Sequence, residues 1–162
     1  MSGEKIHIGT SGWSYKDWVG NFYAEDVKSK DYLNEYQKHF NTVEINNSFY
    51  SLPTEKAVRN WVENTPDDFI FACKASRYIT HMKKLKDPET AFKKFFDAIE
   101  PLGKKCGPVL FQLPPGWNVN CDRLKEFLQA LPRQHRYTFE FRNQTWLCDE
   151  VYELLEKHNA AL

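Results

Sequence analysis

Thr42-Val43-Glu44-Ile45-Asn46-Asn47-Ser48-Phe49-Tyr50 reads as a short buried strand that runs into a polar, aromatic loop. Successive side chains alternate across a strand, so Val43 and Ile45 point one way and Thr42, Glu44 and Asn46 the other. A carboxylate and an amide on one face, at the outgoing end of a strand, are poor choices for packing alone. Burying a carboxylate is costly unless it is paired or hydrogen-bonded. Chemistry or a salt-bridge network is needed to explain Glu44.

Similar runs flank this stretch. Upstream, Ile6 to Thr10 is predicted as a first strand, closed by the loop Ser11-Gly12-Trp13-Ser14-Tyr15, and Leu33, Tyr36 and Phe40 mark one face of a helix. Downstream, Pro53 and Thr54 open a helix with Val58, Trp61 and Val62 on its apolar side, and Phe69 to Lys74 is a strand. Asp87 as N-cap and Pro88 in the first turn start the clearest helix, striped by Phe92, Phe95, Phe96 and Ile99. Gly107-Pro108 releases a strand from Val109 to Leu113, and Leu124, Phe127, Leu128 and Leu131 mark the helix after it. Tyr137 to Arg142 is the fifth strand, followed by a helix carrying Val151, Leu154, Leu155 and His158.

Strand and helix therefore alternate five times, the pattern of an α/β fold with a parallel sheet and crossover helices. No GxGxxG or P-loop pattern follows the first strand, which disfavours a nucleotide-binding doubly wound sheet. The polar residues favour a TIM-type (β/α)8 barrel. Phe69, Phe71, Val109, Phe111, Tyr137, Phe139 and Phe141 form the helix-facing side, and the opposite side turns polar only near each strand's outgoing end. Barrel enzymes carry their sites there. Such a barrel takes about 250 residues, so five units would take roughly 156. With 162 residues, a partial barrel is expected, its first and fifth strands forming open edges and a sixth strand beginning at Asn159-Ala160-Ala161-Leu162. One domain without a linker is expected across residues 1–162.

Composition excludes some classes. The chain is 41% hydrophobic and 15% aromatic, which argues against disorder, and 22 basic residues balance 22 acidic ones. Zero net charge argues against binding nucleic acid or a membrane surface through bulk charge. There is no apolar signal region and no spanning run, and Cys73, Cys106, Cys121 and Cys148 form no CxxC pair, so a cytoplasmic protein with free thiols is expected. The lysine runs 83–86, 93–94 and 104–105 read as solvated helix faces.

Taken in order, several motifs resemble the YecE-like family, the domain of unknown function numbered 72. They are Ile8-Gly9-Thr10-Ser11-Gly12-Trp13-Ser14-Tyr15 with Trp18 and Gly20-Asn21-Phe22-Tyr23; Thr42 to Asn46 with Phe49-Tyr50; Ile79-Thr80-His81; Gly107 to Pro115; and Phe139-Glu140-Phe141-Arg142 with Trp146. The resemblance covers nearly the whole chain. It implies a TIM barrel and no particular reaction, and members of the family are longer than this chain.

The candidate site gathers Glu44, Asn46, Lys74, His81, Gln112, Glu140 and Arg142, with Trp13, Tyr15, Tyr50, Trp117 and Trp146 around it. Glu44 and Glu140 are the candidate acid/base pair, one with a raised pKa and one ionised, and His81 is a third catalytic candidate. The competing reading is an ion-pair network that only closes the barrel mouth. Lys74 and Arg142 suit a carboxylate or phosphate, with Gln112 and Asn46 orienting it. Trp13, Tyr15, Tyr50 and Trp146 offer rings for stacking, or pack a loop lid. A metal held by Glu44, Glu140 and His81 is not expected, because Lys74 and Arg142 compete for the carboxylates. No cofactor is specified. The first reading is an acid–base enzyme acting on a small polar or anionic substrate. The alternatives are a non-catalytic anion-binding domain, a nucleic-acid processing protein (disfavoured by the charge), and an inactive fragment completed by another chain, with self-association through the sheet edges.

Overall fold

Strict alternation of large apolar residues builds the sheet. The computed structural model describes residues 6–162. Strands β1 (Thr42–Ile45), β2 (Ile70–Lys74), β3 (Cys106–Leu113), β4 (Tyr137–Phe141) and β5 (Ala160–Ala161) lie in that order in one sheet, every neighbouring pair parallel. The fold is therefore α/β with crossover helices, as the alternation predicts. The sheet is open and does not close into a barrel.

Helices α1 (Tyr32–Tyr36), α2 (Glu55–Glu63), α3 (Pro88–Ile99), α4 (Cys121–Ala130) and α5 (Asp149–Lys157) supply the covering layer. Against it the sheet buries Val43, Ile45, Phe71, Cys73, Val109, Phe111 and Phe139, each at most 1% exposed. Phe92 and Phe127 meet Phe111 edge-on or tilted, so α3 and α4 grip the middle strand through aromatic rings. The opposite side chains, such as Ile70, Ala72, Leu110 and Thr138, are only half-buried. Among the described residues no helix is long and apolar enough to cross a membrane.

Four expectations need correction. Ile6 to Thr10 is not a strand: the segment makes one parallel bridge, Ser11 to Glu44, with Glu44 N–H donating to Thr10 O and Gly12 N–H to Glu44 O, both at 2.9 Å. Ile6 and Ile8 remain 82% and 70% exposed, so little burial rewards further pairing. The segment still passes close to β1, because a Cβ on Gly9 would collide with the Thr42 carbonyl oxygen. At the other edge Ala160-Ala161 pairs with Tyr137-Thr138, so the edge is the expected further strand and not Tyr137 to Arg142. Pro108 lies within β3, where the register to β2 shifts and its missing N–H is tolerated. Asp87 precedes α3 in the left-handed region (φ 47°) and makes no cap bond; its carboxylate takes the Lys83 ammonium at 3.3 Å.

Lys105 departs from the solvated lysine runs. It is 6% exposed, and its ammonium donates to Val62 O and Thr65 O, both at 2.7 Å, and to Thr65 Oγ1 at 3.1 Å. It thus satisfies carbonyls left free at the end of α2, where a cation is also favoured by the helix dipole.

Candidate functional site

The last residues of the strands bring five of the expected side chains into one neighbourhood. Lys74 ends β2, Gln112 is next to last in β3, and Glu140 and Arg142 flank the end of β4. His81 follows β2 in a single π-turn, Tyr78–Met82, closed by Lys83 N–H to Tyr78 O at 2.8 Å.

Glu140 is held from two sides. Gln112 Nε2 donates to its Oε2 at 2.6 Å, across the direct Gln112–Glu140 register, and Arg142 Nε donates to its Oε1 at 2.8 Å. Burial pushes the carboxyl upward, but the bonds from Arg142 and Gln112 and the charges of Arg142 and Lys74 outweigh it and hold Glu140 below the ordinary 4.5. The ionised form is the one the site stabilises, so Glu140 is an anion here and not the raised-pKa acid of the expected pair. Because its folded pKa is depressed, this contribution to stability is present above about 4.5 and is lost as pH falls through the folded value. The stability gap between the wild type and Glu140→Gln should therefore be open at pH 7 and close below pH 4.5. Denaturant midpoints measured across that window check this, and a pH-independent gap would contradict it.

Lys74 has no carboxylate within ion-pair distance among the described residues; its ammonium lies 5.0 Å from the Phe49 ring centre. His81 meets the same ring edge-on at 5.1 Å, so Phe49 contacts both. Burial, then the charges of Arg142, Lys74 and Arg77, hold the imidazole below its ordinary 6.5. Thr80, fully buried, places its hydroxyl 2.9 Å from His81 Nδ1 and so fixes the ring. The Ser48 hydroxyl lies within hydrogen-bond reach of Ile45 O and Lys74 O, fastening the end of β1 to the end of β2 beside the lysine.

The remaining candidates lie elsewhere. Glu44 is opposite Ala72, Lys74 is at the level of Leu110 and Thr138, and Glu140 is two residues further on. Glu44 therefore sits four residues below Glu140, about 13 Å along the strands at about 3.3 Å per residue, and three strands away. Ser11 Oγ donates to its Oε1 at 2.6 Å, and it lines a separate cleft of about 430 Å³ with Thr10, Ile70, Pro108 and Arg136. Asn46, Trp13 and Tyr15 line a smaller cleft of about 160 Å³ with Trp61. Tyr50 is exposed, with Arg77 over its ring at 5.7 Å. Trp146 is fully buried, stacked on Phe141 at 5.0 Å, its indole N–H donating to Trp117 O at 2.7 Å, which leaves no face for a ligand. Among the described residues no cluster of three or more His, Cys, Asp or Glu is arranged to hold a metal ion.

Sequence reasoning missed Phe49, Arg77 and Thr80 as members of this neighbourhood. Arg77, three residues past the end of β2, carried a legible signal as a cation in an outgoing loop. Phe49 and Thr80 stand in the quoted motifs, but no role for either was legible there, because their roles depend on which ring and which hydroxyl the fold sets beside His81.

This geometry can be compared with known proteins. The model of the family described as "Protein of unknown function DUF72" matches residues 7–162. The chain belongs to the DUF72 family. It is 34% identical over 139 residues to the UPF0759 protein YecE of Escherichia coli strain K12, covering 85% of this chain and 48% of YecE. To the UPF0759 protein YunF of Bacillus subtilis strain 168 it is 29% identical over 160 residues, covering 91% of this chain and 54% of YunF. The chain thus spans about half the length of the curated relatives it matches. The crystal structure of a DUF72 family protein from Thermotoga maritima MSB8 superposes with a TM-score of 0.85 at 30% identity, over 97% of this chain and 63% of that one. A DUF72 family protein from Enterococcus faecalis V583, at 20% identity and a TM-score of 0.72 over 95% of this chain and 58% of that one, shares the fold.

Proposed function

We propose that residues 1–162 form one domain, the five-unit part of a TIM-type barrel, and that the carboxyl ends of its strands bind a small anionic ligand. One observation supports this above the rest: the charges of Lys74 and Arg142 both act on His81, and among the described residues no carboxylate lies within ion-pair distance of Lys74. Arg142 uses only its Nε on Glu140 among the described residues, leaving its terminal amides for a carboxylate or phosphate. Barrels of this type bind their ligands at this end. His81 is the proton acceptor of the site, since burial and then the surrounding charges favour its neutral form; Glu140 anchors Arg142 and Gln112 beside the ligand. Turnover by this acid–base route is part of the proposal, and binding without turnover is the second reading.

The test is a titration of the chain with inorganic phosphate and with small mono- and dicarboxylates, followed by calorimetry and by the His81 ring resonances. Saturable binding is expected, weakened about tenfold or more by Lys74→Ala and by Arg142→Ala, in keeping with charge-assisted hydrogen bonds of about 1.5–3 kcal/mol. A bound anion offsets the cations around His81 and raises its pKa toward and above 6.5, so affinity should rise as pH falls from 7 toward 5. Unsaturable binding, or affinity unchanged in both variants, would overturn the assignment.

A further inference from the structure

The cleft beside the end of β1, about 160 Å³ in volume, is walled by Trp13, Tyr15 and Trp61 and shares no lining residue with the neighbourhood of Lys74, His81 and Arg142. Ser14, Asn46 and Asn47 line the same space, and no carboxylate, ammonium or guanidinium does. The side chains of Ser14, Asn46 and Asn47 make no hydrogen bond among the described residues. A hydroxyl and an amide each bring both a donor and an acceptor. Trp13 and Trp61 are half-buried and Tyr15 is 39% exposed, so the rings of the wall reach solvent.

The walls are held in place by the fold. Trp13 meets Trp61 edge-on at 5.3 Å and 86°, a contact that uses the edge of one ring and leaves that ring's faces uncovered by the other. Phe71 backs Trp61 at 6.3 Å. The Tyr23 hydroxyl donates to Trp13 O at 2.6 Å, and the Tyr15 hydroxyl donates to Ser11 O. Gly12 sits at φ 88°, where a side chain would crowd the Tyr15 hydroxyl, so the turn that brings Tyr15 to the wall needs glycine. Walls fixed before a ligand arrives lower the ordering cost of binding.

We propose that this cleft binds a neutral pyranose ring, as a free monosaccharide or as the terminal sugar of a glycoside. An uncharged lining has nothing to pair with an ionic ligand. A volume of about 160 Å³ lies below the roughly 300–1,000 Å³ of pockets for drug-sized ligands and suits a single ring. The polar groups come from two loops, Ser14 from one and Asn46 and Asn47 from the other, so they meet hydroxyls spread around a ring rather than the one polar edge of a nucleobase. The C–H face of the sugar lies on the electron-rich face of an indole or phenol.

The experiment adds glucose, galactose, mannose and N-acetylglucosamine, and their methyl glycosides, to the chain in phosphate-free buffer. It follows the side-chain amide resonances of Asn46 and Asn47 and the Trp13 indole N–H. Saturable shifts of these resonances with at least one sugar are expected. Equal affinity for that sugar and its methyl glycoside supports the terminal ring of a glycoside, and binding of the free sugar alone supports a monosaccharide. Asn47 is exposed and its side chain has no partner among the described residues, so Asn47→Ala keeps the fold. Asn46→Ala and Asn47→Ala should each weaken binding about threefold to tenfold, the loss of one or two hydrogen bonds. The proposal is overturned by the absence of saturation with every sugar, by affinity unchanged in both variants, or by saturation with adenosine or cytidine and not with the sugars.

Discussion

Trp146→Ala lowers the unfolding free energy by about 3–5 kcal/mol, the range for removing a large buried aromatic. That is a large share of the roughly 5–15 kcal/mol that holds an ordinary domain together. Four losses combine in it. The indole fills a fully buried site, stacks on Phe141 at 5.0 Å and packs edge-on to Trp117 at 4.9 Å. Its N–H also closes a bond to Trp117 O, which joins the loop after β4 to the loop after β3. Asn143 reinforces the same junction, donating to Pro115 O at 2.8 Å, and Thr145 Oγ1 accepts from Val119 N–H at 2.9 Å. Trp146→Phe keeps the stack and loses the hydrogen bond, so it should cost less than half as much. Urea denaturation of both variants checks the expectation. A Trp146→Ala cost below about 1 kcal/mol would mean that the ring is not the keystone of these two loops.

Lys105→Met should cost about 2–4 kcal/mol, although the methylene stem and its packing are retained. Its ammonium serves two carbonyls and one hydroxyl at the end of α2. Without it, Val62 O and Thr65 O lose a charge-assisted partner in a place water reaches poorly, and unsatisfied buried acceptors cost about 1–3 kcal/mol each. Lys105→Arg is the discriminating control, since it keeps the charge but must fit a larger planar group into the same site. Chemical denaturation at neutral pH reads both. The proposal that Lys105 caps α2 fails if Lys105→Met is as stable as the wild type.

Much of this protein could be read directly from its sequence, because period and punctuation are local properties. The alternation in Phe69 to Lys74, Val109 to Leu113 and Tyr137 to Arg142 determined which side chains enter the core, and burial of Phe71, Phe111 and Phe139 follows it. Thr54 was legible as a helix start, and its hydroxyl accepts from Ala57 N–H at 3.2 Å. Outgoing polar residues marked Lys74, Gln112, Glu140 and Arg142 as neighbours, since parallel strands carry their ends to one side.

The tertiary structure decided everything that depends on register and on partners across the sheet. Glu44 and Glu140 look equivalent as strand-end carboxylates, yet the parallel register sets them four residues apart and gives them separate surroundings. Ile6 to Thr10 has the composition of a strand, but pairing is rewarded only where the far face is covered, and Ile6 and Ile8 are exposed. Lys105 is indistinguishable from Lys104 in sequence; the end of α2 lies over one and not the other. Trp146 and Phe49 are both aromatic residues in loops, and only the packing buries the first and sets the second against Lys74 and His81. Sequence periodicity thus fixed which face each residue takes, while the distances between charges, which set the chemistry, came from the assembled sheet.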